Sequence, residues 1–310
     1  MALQIICPDD LTPLVDSGSE LHCGKCGRRF PVLDGVVSTT KTTDEFYEGA
    51  YQNQVKYVPR SDSFLHVWPL WLISCGYLWA VRRLVREDAT VVEFGAASGV
   101  RFFGQRYHMV GCDLSLTSLQ RAEFYEQRIQ ADIAASIPLP DESVDAVISS
   151  FFWEHIPAEV KPQILRHCYR ILKPGGKLIF LYDVETENPL IRHYKKKNLA
   201  LYRKLFLEGD GHVGYQTPKE NRAIFEGNGF TVAERHGMEK TWLQSTPAYI
   251  KLAEYHDAAR PLLRMMTRIG EPPFSHLYTA LIRMVDSVLC PWLPEDWARI
   301  EMTVCERRSS

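Results

Sequence analysis

Hydrophobic and polar positions fall into three stretches of different rhythm along the chain. Residues 1 to 40 are short-patterned and turn-rich. Two β-type segments, around Glu20–His22 and Arg29–Val32, flank a Cys-Gly-Lys-Cys-Gly knuckle. Residues 41 to 62 are polar and aromatic without strong periodicity, and the spacing from Pro69 to Arg86 is helical, with Pro69 suited to a first helical position. The middle stretch alternates. Apolar runs predict strands at Ala89–Phe94, His108–Cys112, Arg128–Ala131, Ser143–Ser150 and Lys177–Asp183. Between them the spacing predicts a short helix after Gly99, a helix over Leu116–Gln127 and another from Ala158 to Leu172, with a turn at Lys173–Gly176. Strands separated by helices of this length imply a parallel sheet with crossover connections. Beyond Asp183 the rhythm loosens: residues 185 to 216 read as an insertion, Pro218–Gly229 as a helix closed by glycine, and Phe230–Arg235 as a strand. Residues 246 to 292 are helical, apolar and aromatic, and Trp297–Glu306 alternates as a last strand would.

A chain of 310 residues can bury one large domain plus an appendage, and its 45% hydrophobic and 24% charged content is ordinary for a globular protein. The formal net charge of −2 argues against a surface built mainly to hold nucleic acid. No Lys- or Arg-led apolar leader opens the sequence, so no signal peptide is expected. Cys75, Cys112, Cys168, Cys290 and Cys305 sit singly in apolar runs, the habit of reduced core thiols, and a cytoplasmic location is expected.

The chemistry concentrates at VVEFGAASGV, residues 91 to 100. A strand running into small residues that open a helix lets backbone approach a nucleotide-like ligand. The dinucleotide spacing G-x-G-x-x-G fails here, since Ala97 and Val100 stand where glycines would follow Gly95. Glu93 would repel a pyrophosphate. An acid beside the loop suits a ligand that is cationic there, and S-adenosylmethionine carries an ammonium and a sulfonium but no phosphate. Asp113 ends the next strand, placed for ribose hydroxyls, and Asp132 ends the third, placed for an adenine amino group.

With these residues in view, VVEFGAASG, GCDLS, ADIAASIPLPDESVDAVISS, EHI and RILKPGGKLIF resemble successive motifs of class I S-adenosylmethionine-dependent methyltransferases. The likeness is greatest to the group that includes the quinone-biosynthesis methyltransferases. It covers roughly residues 88 to 183, and GHVGYQTPKENRAIFEGNGF extends it loosely to about 235. The resemblance implies a Rossmann-like α/β fold with a seven-stranded, mostly parallel sheet. It also implies a cofactor site formed by Glu93, Gly95, Ala97, Gly99, Asp113, Leu114, Asp132, Ile133 and Ser149. Ala97 replaces the usual middle glycine and leaves less room above the backbone.

Methyl transfer from a sulfonium is an in-line displacement that mainly needs alignment and exclusion of water. A general base is needed only where the acceptor holds its proton. His155, at the start of the segment after the fourth strand, is the first candidate, and His212 in GDGHVGY the second. Each also has a structural reading, as a helix-start or loop-ordering residue. Tyr182 and Asp183, ending the fifth strand, are candidates on the substrate side.

Ahead of this domain, Cys7-Pro-Asp-Asp10 and Cys23-Gly-Lys-Cys26 resemble a Trm112-like zinc ribbon, with FPVLDGVV as the segment after the second knuckle. The first pair is C-x-x-D rather than C-x-x-C. Cys7, Asp10, Cys23 and Cys26 form the expected structural zinc site, with Asp9 and His22 as alternative fourth ligands and a metal-free hairpin as the structural alternative. The expected division is a ribbon over residues 1–41 and a methyltransferase domain over 42–310, with cap insertions at about 185–216 and 237–296.

The covering segments are rich in aromatics, Trp68, Trp71, Trp79, Tyr194, Tyr202, Trp242, Tyr249, Tyr255, Tyr278 and Trp292 among them. A helical cap of this kind suits a small apolar or planar acceptor, though more than half of these rings are expected in the core. PLWLISCGYLWAV is too short to span a bilayer before Arg82 and Arg83 and reads as a buried helix, with peripheral membrane contact as the alternative. RHYKKKNLALYRK, residues 192 to 204, is the one strongly basic tract. It sustains a second reading, an RNA methyltransferase that stacks bases on Tyr194 and Tyr202. A third reading is a non-catalytic module that binds cofactor or a protein partner. Oligomeric state is not legible.

Overall fold

The computed structural model describes residues 3–40, 48, 76–256, 261 and 274–308. The expected helix start at Pro69, the rings of Trp68 and Trp71, and Cys75 lie outside the described residues. The described chain is organised on one eleven-stranded sheet of order β1-β2-β3-β4-β7-β6-β5-β8-β9-β11-β10. Seven of these strands form the expected sheet: β5 (Thr90–Phe94), β6 (His108–Asp113), β7 (Gln127–Gln130), β8 (Val144–Ser150), β9 (Leu172–Asp183), β10 (Phe230–Met238) and β11 (Ile300–Arg307). The ladders joining β7, β6, β5, β8 and β9 are parallel, and β11 is inserted antiparallel between β9 and β10.

The other four strands come from the N-terminal piece. β1 (Leu14–Asp16), β2 (Glu20–Cys23), β3 (Arg29–Leu33) and β4 (Val36–Ser38) form antiparallel hairpins, and β4 then pairs parallel with β7 through Val37↔Ile129 and Ser38↔Gln130. The ribbon therefore continues the sheet and covers an edge whose unpaired backbone would otherwise be open to another chain. Side chains lock the join: Ser38 Oγ donates to Gln130 Oε1 at 2.7 Å, and Gln127 bonds both backbone groups of Leu3 at 2.7 and 2.8 Å. Ile5, Leu14 and Phe30 of the ribbon are buried in the same apolar cluster as Val92 and Val110 of the central strands.

Helices cover both faces. α1 (Tyr77–Leu84) and α2 (Arg101–Gly104) lie over the side holding Val91, Met109 and Ile148; α3 (Leu116–Gln120) follows β6. α4 (Lys161–Ile171) and α7 (Pro218–Gly227) cover the opposite side, where Trp153 stacks on Phe225 at 5.3 Å. The helix expected over Leu116–Gln127 stops at Gln120, because Ser115 caps a single turn and the chain then bends to bury Ala122 and Tyr125. A covering layer holds α5 (Pro189–Lys197), α6 (Leu199–Tyr202), α8 (Thr246–Ala253) and α9 (Phe274–Leu289). The tips of the parallel strands are level: Phe94 pairs with Cys112 and Ser149, Asp113 with Gln130, and Ser150 with Leu181. Chain order reverses between β5 and β8, so a crevice opens above their carboxyl ends, the usual ligand position in a doubly wound sheet.

Phe225 is fully buried among Trp153, Phe180 and Tyr182, away from that crevice. Phe225→Ala is expected to cost about 3–5 kcal/mol of stability, read as a lowered urea midpoint with an unchanged slope; a loss below about 1 kcal/mol would contradict this packing.

Candidate active site

The crevice is a cavity of about 220 Å³ lined by Gly95, Ala97, Asp113, Leu114, Asp132, Ile133, Phe152, His155 and Ile164, among others. Among the described residues its lining holds two carboxylates and no lysine or arginine. The glycine-rich turn from β5 takes left-handed backbone at alternate residues, with φ of 60° at Gly95, 46° at Ala97 and 70° at Gly99. A Cβ at Gly95 would stand 2.8 Å from the Phe152 ring, so that turn tolerates no side chain there. Ala97 carries its Cβ in this conformation at a cost of about 1 kcal/mol. Its N–H donates to Asp113 Oδ2 at 2.9 Å, which holds the turn against the next strand. Asp113 Oδ1 accepts a second backbone bond from Ser115 at 2.9 Å. Burial raises the Asp113 pKa, while these amide bonds oppose the shift. Asp132 is tied in the same manner by the Ala134 N–H at 3.0 Å.

The structure brings Gly95, Ala97, Asp113, Leu114, Asp132, Ile133 and His155 to this one cavity. Glu93, Gly99 and Ser149 stand behind it. Glu93 is buried, and its carboxylate accepts from the Tyr125 hydroxyl, whose oxygen in turn accepts from the Val100 N–H at 2.8 Å. Its influence reaches the cavity through the turn. Gly99 packs under Phe124 and Tyr125, and the Ser149 hydroxyl donates to the Phe94 carbonyl at 3.1 Å. Tyr125 was not identified from the sequence; the signal available was a tyrosine just ahead of the third strand, within one turn of the apolar Phe124.

Past the tips of β8 and β9 lies a dense polar group. Phe151 takes φ 53° and starts a turn into a short 3-10 segment, Trp153–His155. His155 Nδ1 is 3.1 Å from the Gly211 carbonyl, and its ring centre is 5.1 Å from that of His212, which stacks on Tyr215 at 5.3 Å. The two histidines come from segments over fifty residues apart and meet at one point. His212 Nε2 lies 3.9 Å from Asp183 Oδ2, and Arg299 NH1 is 3.5 Å from Asp183 Oδ1. Burial holds His155 below its usual range, and burial together with the His155 ring, Lys251 and Arg299 takes His212 down to about 3. Burial pushes Asp183 up to about 6 and lowers Lys161 to about 7. Tyr182, the other substrate-side candidate, is fully buried and bonds Thr303 and Glu301 instead. Lys161 and the buried Arg299–Glu239 pair are the members of this group that motif reading did not weigh, because each looks like an ordinary surface charge in the sequence.

In the ribbon, four donors converge. Cys7 Sγ and Cys26 Sγ are 3.7 Å apart, and Cys23 Sγ is 3.5 Å from Asp10 Oδ2. Tetrahedral zinc with bonds of about 2.3 Å to sulfur and about 2.0 Å to oxygen would space its ligands by about 3.8 and about 3.5 Å. Asp9 is engaged by Arg28 at 2.7 Å and His22 by Ser17 at 2.9 Å, so Asp10 is the fourth member of the set.

The basic tract does not form an open stacking surface. Tyr202 is buried against Phe206, Tyr194 packs on Tyr255 at 5.0 Å, and Lys195 and Arg192 pair with Glu185 and Glu187. No described helix is long and apolar enough to cross a membrane.

Residues 92–180 match the family model for a methyltransferase domain. A demethylmenaquinone methyltransferase of Listeria welshimeri serovar 6b is 28% identical over 185 residues, 56% of this chain and 68% of that protein. The ubiquinone/menaquinone biosynthesis C-methyltransferase UbiE of Vibrio parahaemolyticus serotype O3:K6 is 23% identical over 181 residues, 54% of this chain and 66% of that protein. The chain thus spans about two thirds of the length of each of these relatives. Phosphoethanolamine N-methyltransferase 2 of Haemonchus contortus, solved with S-adenosyl-L-methionine, aligns with a TM-score of 0.49 at 14% identity, over 84% of this chain and 60% of that one.

For the ribbon, elemental analysis of protein purified without chelator is expected to give about one zinc per chain, lost in Cys23→Ser together with a lowered melting temperature. Less than about one-tenth zinc per chain would remove the metal.

Proposed function

We propose that this chain, a member of the class I S-adenosylmethionine-dependent methyltransferases, methylates an oxygen, nitrogen or carbon atom of a small apolar or aromatic acceptor. The observation that carries this reading is the composition of the crevice: carboxylates at two neighbouring strand tips, apolar walls, and no lysine or arginine among its described lining residues. That donor set fits a nucleoside with a cationic amino-acid end and repels one with a pyrophosphate.

Bound S-adenosylmethionine supplies a methyl group on a sulfonium, which leaves as a neutral thioether. The chain's own residues do the rest. Asp113 keeps lone pairs beyond its two amide bonds and accepts from the ribose hydroxyls. Asp132 accepts from the adenine amino group, while Leu114, Ile133 and Ile164 flank the base. Gly95 and Ala97 set how close the backbone comes, and Glu93, acting through Tyr125 and Val100, keeps that turn rigid. Phe151 and Phe152 exclude water at the end of the cavity, where His155 stands. Fixing donor and acceptor in line accounts for about 7–11 kcal/mol of barrier lowering in well-aligned systems.

His155 and His212 mark where the acceptor's reacting group gives up its proton. The names of the relatives suggest a hydroxylated ring with an apolar tail as the acceptor. Loss of a ring hydroxyl's proton raises electron density on that oxygen and on the adjacent ring carbons, so the same proton removal serves O- or C-methylation. An RNA acceptor draws no support from a basic tract in which Tyr202 is buried and Tyr194 packs on Tyr255.

Asp113→Ala is expected to weaken S-adenosylhomocysteine at least tenfold in calorimetry, corresponding to the loss of about 1.5–3 kcal/mol from bonds to a charged acceptor. Unchanged affinity in a folded variant would contradict the assignment. Assayed by transfer of labelled methyl to a panel of hydroquinols, His155→Ala is expected to lose about 10²–10⁴ in turnover while still binding S-adenosylhomocysteine. Wild-type protein that binds the cofactor yet labels none of the panel would contradict the acceptor class.

A further inference from the structure

Helix α9 is apolar on two sides. Its inner side packs against β10, the edge strand of the sheet. There Ile282 is buried, the Tyr278 hydroxyl donates to the Gln244 carbonyl at 2.7 Å, and Asp286 accepts from the Glu239 N–H at 2.8 Å. Arg283 is spent on the same side, donating to Asp286 at 2.9 Å. The outer side carries a row of large apolar residues. Leu277, Leu281, Met284 and Val288 are 45–64% exposed, and Trp292, just past the helix end, is 87% exposed. A helix whose outer face met only water would turn charged and polar residues outward. A row of exposed apolar side chains marks a contact surface instead.

We propose that this row is the contact face of a homodimer, in which α9 of a second copy packs antiparallel on α9 about a two-fold axis. The four residues follow one another at steps of four, three and four. That is the spacing with which one helix seats its side chains between those of another. The flanking positions, Tyr278, Ala280, Val285 and Ser287, carry no charge, so the face meets no like charge when turned on itself. Headgroups of a lipid surface would find no lysine or arginine at those positions to hold them. Antiparallel packing opposes the two helix dipoles and sets Leu281 of one copy against Met284 of the other. The row is about 17 Å long, and a stable interface buries about 800 Å² on each partner. Trp292 lengthens the face at its end and supplies the kind of large aromatic anchor that dominates interface energetics. None of these five residues belongs to the crevice lining, so the dimer does not rest on the cofactor assignment.

Sedimentation velocity of the full-length chain across the micromolar range is expected to show twice the chain mass. Leu281→Lys and Met284→Glu each raise the dissociation constant at least tenfold, while far-UV circular dichroism and S-adenosylhomocysteine binding stay unchanged. Mixed in equal amounts, the two variants pair again, because the new ammonium and the new carboxylate face each other across the axis. A wild-type chain that stays monomeric at the highest micromolar concentration would overturn the proposal, and co-sedimentation of that monomer with phosphatidylglycerol vesicles would give the face to lipid. A dimer unaffected by either variant would place the interface elsewhere, and a mixture that stays monomeric would refute the antiparallel pairing.

Discussion

A single hydrogen bond, from the Ala97 N–H to Asp113, ties the turn after β5 to the tip of the neighbouring strand. The crevice depends on it. The turn repeatedly visits left-handed backbone, once with an alanine, and such a turn persists only where its surroundings over-determine it. Asp113 restrains it from the front, and the Tyr125 hydroxyl, backed by Glu93, restrains it at Val100 from behind. Asp113 is therefore part of the scaffold of the turn and, with Asp132, the reason the cavity favours a ligand without phosphates.

Much of this was legible in local pattern. The five parallel strands and the carboxylates at Asp113 and Asp132 follow from apolar runs broken by small residues and acids, signals carried within a few positions. Glu93 shows where that reading stops. It sits next to the glycine turn in sequence, yet strand alternation puts it on the face of Val91, opposite Val92 and Phe94, and hence against Tyr125 rather than in the crevice. The meeting of His155 with His212 depends on how a long connection folds back over the strand tips, which no local pattern encodes.

The ribbon carries the same lesson. Its knuckle and its hairpin were readable, but the pairing of Val37 with Ile129 joins segments about ninety residues apart and turned an expected seven-stranded sheet into an eleven-stranded one. Because β7 leads directly to Ala131, Asp132 and Ile133, the ribbon braces one wall of the crevice from the outside.

Side-by-side calorimetry of the purified chain with S-adenosylhomocysteine and with NAD⁺ tests the electrostatic account most directly. One equivalent of S-adenosylhomocysteine binding in the micromolar range, with no heat from the phosphate-bearing nucleotide, is the predicted result. Binding of NAD⁺ with no response to S-adenosylhomocysteine at millimolar concentration would contradict it.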